Sequence, residues 1–545
     1  MPRRRAPHHS TRPRARLPRL LGALLLAASG VGAAAAEAAP APPGPRAAAD
    51  PLKRVVPAPA SVTSGKNPYT IGGGTRIRVP RDSAAARRVG DQLAALLRPS
   101  TGHPLPVTTA DGPDGIRLRL ATTGPEARGL GAEGYRLRTD ARSVTLTARA
   151  SAGLFHGMQT LRQLLPATVE SRTRQSGPWQ VPGGTITDVP RYAYRGAMLD
   201  VSRHFFTVEQ VKRYIDQLAL YKINKLHLHL SDDQGWRIAV DSWPRLATYG
   251  GSTQVGGGRG GHYTKDDYRE IVRYAQSRYL TVVPEIDMPG HTNAALASYA
   301  KLNCDGVAPP LYTGTQVGFS SLCVAKEVTY DFVDDVIREL AELTPGPYLH
   351  IGGDEAHSTS HADYVAFMDR VQPVVAKYGK TVIGWHQLTG ARPAKGAIAQ
   401  YWGLTGREKE VTEAARAGTR IILSPANRAY LDMKYTKDTP LGLDWAGLVE
   451  VRQSYGWDPG NYLKDAPSTA ILGVEAPLWS ETISTSDHIE YLAFPRLAGI
   501  AELGWSPAAR HDWDAFRERL GAQGPRWSVL GIDYYRSPQI PWAGR

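Results

Sequence analysis

Gly196-Ala-Met-Leu-Asp-Val201 and Lys225-Leu-His-Leu-His-Leu230 are short, largely apolar runs, and a stretch with helical spacing, 208–220, separates them. A strand, a helix and a second strand in that order form the unit that builds parallel sheets. The alternation continues down the chain. Further strands are expected at 281–286, 348–352, 381–385, 397–402, 420–423 and 471–475, with helices at 265–278, 331–343, 363–378, 411–417 and 488–502. Eight strands alternating with helices over the region 189–545 point to a (β/α)8 TIM barrel, an α/β fold. An open doubly wound sheet is the alternative, but no glycine-rich phosphate fingerprint follows any strand.

Ahead of the barrel, 61–188 reads as a small α+β domain. Strands are expected at 71–79, 115–121, 135–139 and 144–148, and helices at 84–97 and 154–165. This domain holds no catalytic-looking cluster, and His156 reads as a core or surface histidine. Residues 39–60 are rich in Pro and Ala and read as a linker. Residues 1–38 carry seven arginines, then an apolar run at 20–31 and a stretch of small residues. That is the pattern of a signal peptide, so the chain is expected to be secreted, with no membrane anchor after cleavage. The arginine pairs suit twin-arginine export, although no sharp motif follows them. The apolar run is shorter than the ~20 residues that span a bilayer.

The chain of 545 residues has a formal charge of +14, from 65 Lys and Arg against 51 Asp and Glu. Six of those units fall in residues 1–39, so the charge describes the export segment more than a nucleic-acid partner. Hydrophobic residues at 42% and charged residues at 21% are the proportions of a folded soluble protein. The 12 Trp are unevenly placed, since Trp179 is the only one before residue 190. Cys304 and Cys323 are the only cysteines. They allow one disulfide and rule out a cysteine metal cluster.

In a barrel of this type the chemistry sits at the carboxyl ends of the strands. Those ends are polar and aromatic here: Asp200 and Arg203 after the first, Asp232 after the second, Glu285, Asp287 and His291 after the third, and Trp385 and Trp402 after the fifth and sixth. The sharpest segment is His350-Ile-Gly-Gly-Asp-Glu355. Neighbouring residues of a strand face opposite ways, so Asp354 and Glu355 share a pocket only where the strand ends and bends, and Gly352 and Gly353 give that freedom. Paired carboxylates among tryptophans point to glycoside hydrolysis. The same pair also fits a helix N-terminus. His227 and His229 are a second candidate, as ligands in a metal-dependent barrel hydrolase, against a reading as histidines hydrogen-bonded inside the barrel.

Arg195-Gly-Ala-Met-Leu-Asp-Val-Ser-Arg-His204, His227-Leu-His-Leu-Ser-Asp-Asp-Gln-Gly-Trp236, Pro284-Glu-Ile-Asp-Met-Pro-Gly-His291 and the segment ending at Glu355 together resemble glycoside hydrolase family 20, the β-N-acetylhexosaminidases, with bacterial secreted enzymes nearest. The resemblance covers nearly everything after the signal region. The glycine-rich stretch 250–261 reads as a variable loop. The resemblance implies an exo-acting hydrolase that removes terminal N-acetylhexosamine, GlcNAc and GalNAc, by a retaining mechanism in which the substrate's own acetamido group is the nucleophile. No cofactor or metal is implied, and the partner is an oligosaccharide.

By the same resemblance, Glu355 is the general acid and base, Asp354 orients the acetamido N–H, and Tyr430 donates to the acetamido oxygen. Arg203 and Glu481 match positions that hold ring hydroxyls; Asp432 and Trp445 are weaker matches. Trp385, Trp402 and Trp479 match aromatic walls, whose bland reading is core packing. Asp232 and His291 stand behind the acid, and Arg195 reads as structural. Cys304 and Cys323 fall where bacterial relatives carry a disulfide. A sugar-binding barrel without catalysis is the remaining alternative.

Overall fold

The structure, a computed structural model, describes residues 50–543. Eight parallel strands close into a barrel: Tyr194–Asp200, Lys225–His229, Thr281–Glu285, Tyr348–His350, Thr381–Trp385, Ile398–Tyr401, Arg420–Leu423 and Ile471–Ala476. The first strand pairs with the last, Tyr194 opposite Gly473, which leaves no free edge. The connecting helices begin where the sequence supplies caps. Thr207 and Gln210 form a capping box before Val208–Leu220, and Thr264 and Asp267 do so before Lys265–Ser277.

The barrel interior is layered. Tyr194, Val283, Ile383, Ile398 and Ile422 form an apolar floor. Above it lie His227, Glu285, His350, Gln400 and Glu475, all fully buried. Met198, Trp385, Tyr430 and Trp479 pack together nearest the carboxyl ends.

Most barrel elements shift by a few residues at their ends from the expected limits, and two of the differences have a clear cause. The fourth strand ends at His350 rather than at residue 352, because Gly352 turns into the left-handed region at φ 65°. The single helix expected at 488–502 is two, Ser486–Ala493 and Arg496–Trp505. Pro495 lies between them; it has no N–H to donate and biases Phe494 toward extended backbone (φ −100°, ψ 132°).

The preceding α+β region has a seven-stranded mixed sheet in the order Ser61–Ser64, Gly184–Asp188, Tyr135–Thr139, Ser143–Ala148, Gly115–Leu120, Ile77–Arg78, Val107–Thr108. Helices Ala84–Thr101 and Ser151–Leu164 pack against it. Of the strand expected over 71–79, only Ile77–Arg78 forms, since Gly73 and Gly74 form a turn closed by Thr75 N donating to Gly72 O. The described part of the Pro/Ala-rich stretch, from residue 50, is held in place. Val55 and Val56 are buried, Ala58 N donates to Glu502 Oε2 at 2.9 Å, and Ala58 O accepts from Ser506 Oγ at 2.6 Å. The signal segment expected at 1–38 lies outside the described residues.

Buried ion pairs join this region to the amino end of the barrel. Arg195 reaches Glu133 at 2.7 Å, and Lys222 reaches Asp188 at 3.1 Å. His156 is buried beside them, with Nε2 3.3 Å from Glu133 and its ring edge-on to Trp505. Arg195 and His156 therefore have structural partners. Among the described residues, no helix is long and apolar enough to cross a membrane.

Candidate active site

Three positive φ values in four residues turn the chain at the carboxyl end of the fourth strand: Gly352 at 65°, Gly353 at 99° and Glu355 at 46°. A non-glycine residue in that region is uncommon and marks a conformation held by its surroundings. The turn puts Asp354 and Glu355 on the wall of one pocket instead of on opposite faces of a strand. No helix starts there; the next begins at His361, capped by Ser360. The helix-cap reading of the pair is thereby set aside.

The pocket encloses about 220 Å³. Arg203 and Glu481 line one side with Trp479, and Tyr430 and Asp432 enter from the loop after the seventh strand. Trp402 completes the aromatic wall, and Trp445, 50% exposed, stands at the rim. Nine of the ten residues expected to bind or react thus meet in one place.

Trp385 is the exception. It is fully buried and sits under the lining rather than on it, its ring 5.7 Å from Trp479 and 5.0 Å from His350. The cause is its indole N–H, which donates to Glu285 Oε1 at 2.9 Å deep in the barrel. Thr315, Val317 and Leu443 also line the pocket and were not singled out from the sequence. Thr315 and Val317 lie on the loop closed by the Cys304–Cys323 disulfide, which is present. The bracketing cysteines were the one available signal for that loop.

Behind the carboxylates runs a chain of buried charges. His291 Nε2 lies 3.4 Å from Glu355 Oε2 and 3.9 Å from Asp354 Oδ2, and its Nδ1 lies 3.2 Å from Asp232 Oδ1. Asp232 Oδ2 in turn meets Arg203 at 2.8 Å and His229 Nε2 at 2.8 Å. Burial opposes every one of these charges, and the partners win at Asp232, His291 and Glu355. Asp232 is held far below the usual carboxylate range by Arg203 and the histidines, and His291 is raised well above the usual histidine value by Asp232. Burial pushes the Glu355 carboxyl up, but the hydrogen bond and charge of His291 pull it further down, so its net direction is down. Asp354 goes the other way: burial raises it, the charge of His291 opposes, and the neighbouring Glu355 charge raises it further. Burial, with the Asp354 and Asp432 charges, also keeps the Tyr430 hydroxyl protonated and available as a donor.

His227 and His229 are committed to carboxylates on both ring nitrogens. His227 Nδ1 meets Glu475 at 2.8 Å and its Nε2 lies 3.0 Å from Glu285, while His229 lies between Glu285 at 2.5 Å and Asp232. Burial works against charge on His227, but the two glutamates push it up to about 9. Flanked in this way by carboxylates, both histidines fit the reading as groups hydrogen-bonded inside the barrel.

Several buried polar atoms around the pocket have no protein partner: Arg203 Nε, Glu481 Oε2 and Asp432 Oδ2. Buried polar atoms are normally paired. A hydroxyl-rich ligand with an amide group supplies what these atoms lack, and the indole faces match the apolar faces of a sugar ring.

Comparison with known proteins agrees. The sequence profile described as "Glycosyl hydrolase family 20, catalytic domain" matches residues 192–508, and that for "Glycosyl hydrolase family 20, domain 2" matches 53–189. A β-N-acetylhexosaminidase of Cellulomonas fimi is 39% identical over 90% of this chain and 97% of its own length. The GH20 β-N-acetylhexosaminidase structure of Streptomyces coelicolor A3(2) superposes with a TM-score of 0.88 at 70% identity, covering 91% of this chain and 99% of that one. A Streptomyces plicatus β-hexosaminidase variant, solved with its product GlcNAc, gives the same TM-score at 71% identity, over 91% of this chain and 98% of the other. The chain belongs to glycosyl hydrolase family 20.

Proposed function

We propose that this protein is an exo-acting β-N-acetylhexosaminidase that removes terminal, non-reducing GlcNAc and GalNAc residues by a retaining, substrate-assisted route. The observation that carries the reading is the placement of Asp354 and Glu355 together, by a left-handed turn, in a pocket whose buried polar atoms lack partners. Bound there, the sugar's acetamido carbonyl oxygen attacks the anomeric carbon as the glycosidic bond breaks. Glu355 gives its proton to the leaving oxygen, and an oxazolinium ion forms. Glu355, now a carboxylate, takes a proton from water as that water opens the ring and restores the acetamido group. Asp354 accepts from the acetamido N–H and offsets the positive charge that develops there, and Tyr430 donates to the acetamido oxygen. The nucleophile is part of the substrate, so the protein's contribution is orientation and fixed charge.

Arg203, Asp432 and Glu481 hold the ring hydroxyls. Arg203 and Asp432 are buried on that side of the pocket, which suits a chain end better than a chain interior. The arginine-rich start, apolar run and small-residue stretch of residues 1–38 support export, and chitin-type oligosaccharides or glycans outside the cell are the natural substrates of such an enzyme.

The test is kinetic. Glu355→Gln should lose about 10²- to 10⁴-fold in turnover of an aryl N-acetylglucosaminide while still binding GlcNAc, the range expected for removing a general acid. Asp354→Asn should lose turnover as well. Equal cleavage of an aryl glucoside without the acetamido group would overturn the substrate-assisted route, and comparing aryl GlcNAc, aryl GalNAc and chitobiose sets the preference.

A further inference from the structure

Asp287 is a carboxylate that the mechanism above does not use. It follows the third strand, is 1% exposed and lies beside Asp354: one oxygen of each, with a ring nitrogen of His291, falls within a 4.8 Å cluster. Asp287 Oδ1 accepts from Gly353 N at 2.9 Å, so this side chain grips the turn that presents Asp354. The grip is tight, because a Cβ on Gly352 would lie 1.8 Å from the same oxygen. The other oxygen, Asp287 Oδ2, is buried without another partner, and so is Asp354 Oδ1. Two buried carboxylates this close to each other repel unless one of them holds a proton.

The proton belongs on Asp287. Asp354 reaches into the pocket and faces His291, whose Nε2 is 3.9 Å from its Oδ2; that charge favours the anion. Asp287 lies deeper. The groups that face it are Glu285 from its own strand, His229 and Asp232 from the second strand and the turn after it, His291 from the following loop, and Asp354 and Tyr364 from the fourth strand's end and the next helix. Burial raises the Asp287 carboxyl well above its ordinary value, with the Asp354 charge adding to it and His291 opposing. Tyr364 gives its own hydroxyl to Gly353 O at 2.7 Å and so leaves Asp287 to answer Asp354.

We propose that Asp287 is a positioning residue that remains a neutral acid, donating its proton to Asp354 while accepting from Gly353 N, and so fixes Asp354 as the anion that meets the acetamido N–H. The inference rests on the role of Asp354 given above. It makes a specific claim about isosteres. An asparagine offers an oxygen for Gly353 N and an N–H for Asp354, and it has no proton to lose as pH rises.

The experiment uses the full chain with Asp287→Asn, Asp287→Ala and Asp354→Asn. Expected results are kcat for Asp287→Asn within about tenfold of the parent and a loss of at least about 100-fold for Asp287→Ala, the lower end of what a missing catalytic contact costs. Because the alanine variant strips a buried N–H of its partner and can misfold, a second measurement stands apart from it. The infrared difference spectrum of parent minus Asp287→Asn at neutral pH should contain the C=O stretch of a protonated carboxyl. An asparagine variant as impaired as alanine, or no protonated-carboxyl band, overturns the proposal. Full activity in Asp354→Asn instead overturns the reading of Asp354, so the two failures are told apart.

Discussion

His291 Nε2 lies 3.4 Å from Glu355 Oε2, and this contact outweighs burial in setting where the glutamate holds its proton. Burial alone raises a carboxyl; the hydrogen bond and charge of His291 lower this one. The acid form that protonates the leaving oxygen is therefore drained as pH rises through a value below the ordinary glutamate range, and kcat/KM should favour acidic pH. In His291→Ala the largest lowering influence is gone while burial remains, opposed only by the charges of Arg203 and His357, so the alkaline limb of kcat/KM should move to higher pH while the maximum falls. A pH profile with an aryl N-acetylglucosaminide reads this directly, and an alkaline limb that stays in place or moves down would show that His291 does not control the acid.

Arg203 does three things at once. It pairs with Asp232 at 2.8 Å, lies 4.8 Å over the Trp479 ring, and keeps Nε unpaired beside the pocket. A lysine keeps the charge but loses the planar stack and the fork. Arg203→Lys should lower kcat/KM about 10- to 150-fold, the equivalent of the roughly 1.5–3 kcal/mol that a hydrogen bond to a charged group contributes. The loss should appear with GlcNAc and GalNAc substrates alike if Asp232 is the main partner. A variant within twofold of the parent would place Arg203 outside substrate binding.

Where the sequence was legible, the signal was local. The strands Thr381–Trp385 and Arg420–Leu423 match their expected limits, because each is a short apolar run bounded by residues that break it. The turn before Asp354 was legible in its paired glycines, but the same pair of acids fitted a helix N-terminus equally well, and it is the start of the next helix at His361 that decides between them. The depth of Trp385 was not, because a tryptophan at a strand end serves equally as wall or as floor. What decides it is Glu285, 100 positions away in the chain, whose carboxylate gathers His229, His350 and the Trp385 indole. Thr315 and Val317 lie in a loop with no periodicity, and only the fold of that loop over the barrel brings them to the pocket.

That loop yields a prediction about the disulfide. The Cys304–Cys323 bond closes a segment with a sequence separation of 19. Opening it in the double variant Cys304→Ser, Cys323→Ser should cost about 3 kcal/mol on the chain-entropy scale for loops of this size. Because Thr315 and Val317 ride on the segment, KM should rise more than kcat falls. Chemical denaturation of parent and variant gives the first quantity and steady-state kinetics the second. A variant with the parent's stability and KM would show that the loop's hydrogen bonds, such as Gln234 Nε2 to Gly314 O at 2.8 Å, hold it without the bond.

Lys222 tests what the α+β region does for the barrel. Its ammonium is fully buried at the amino end, 3.1 Å from Asp188 Oδ2 and 3.1 Å from the Tyr135 hydroxyl, and 4.7 Å from the Trp505 ring. Asp188 and Tyr135 belong to the sheet, whereas Lys222 directly precedes the second barrel strand. Asp188→Asn leaves a buried charge without its counter-charge, which should cost about 3–5 kcal/mol. Adding Lys222→Met removes the stranded charge, so the double variant should recover most of that loss. Parallel strands place Lys222 and the pocket at opposite ends of the barrel, and the folded enzyme should keep its kcat and KM in both variants. Thermal unfolding and kinetics on the same samples check this. A double variant no more stable than Asp188→Asn, or a changed KM in either, would mean that the small region acts on the pocket and is more than a brace under the barrel.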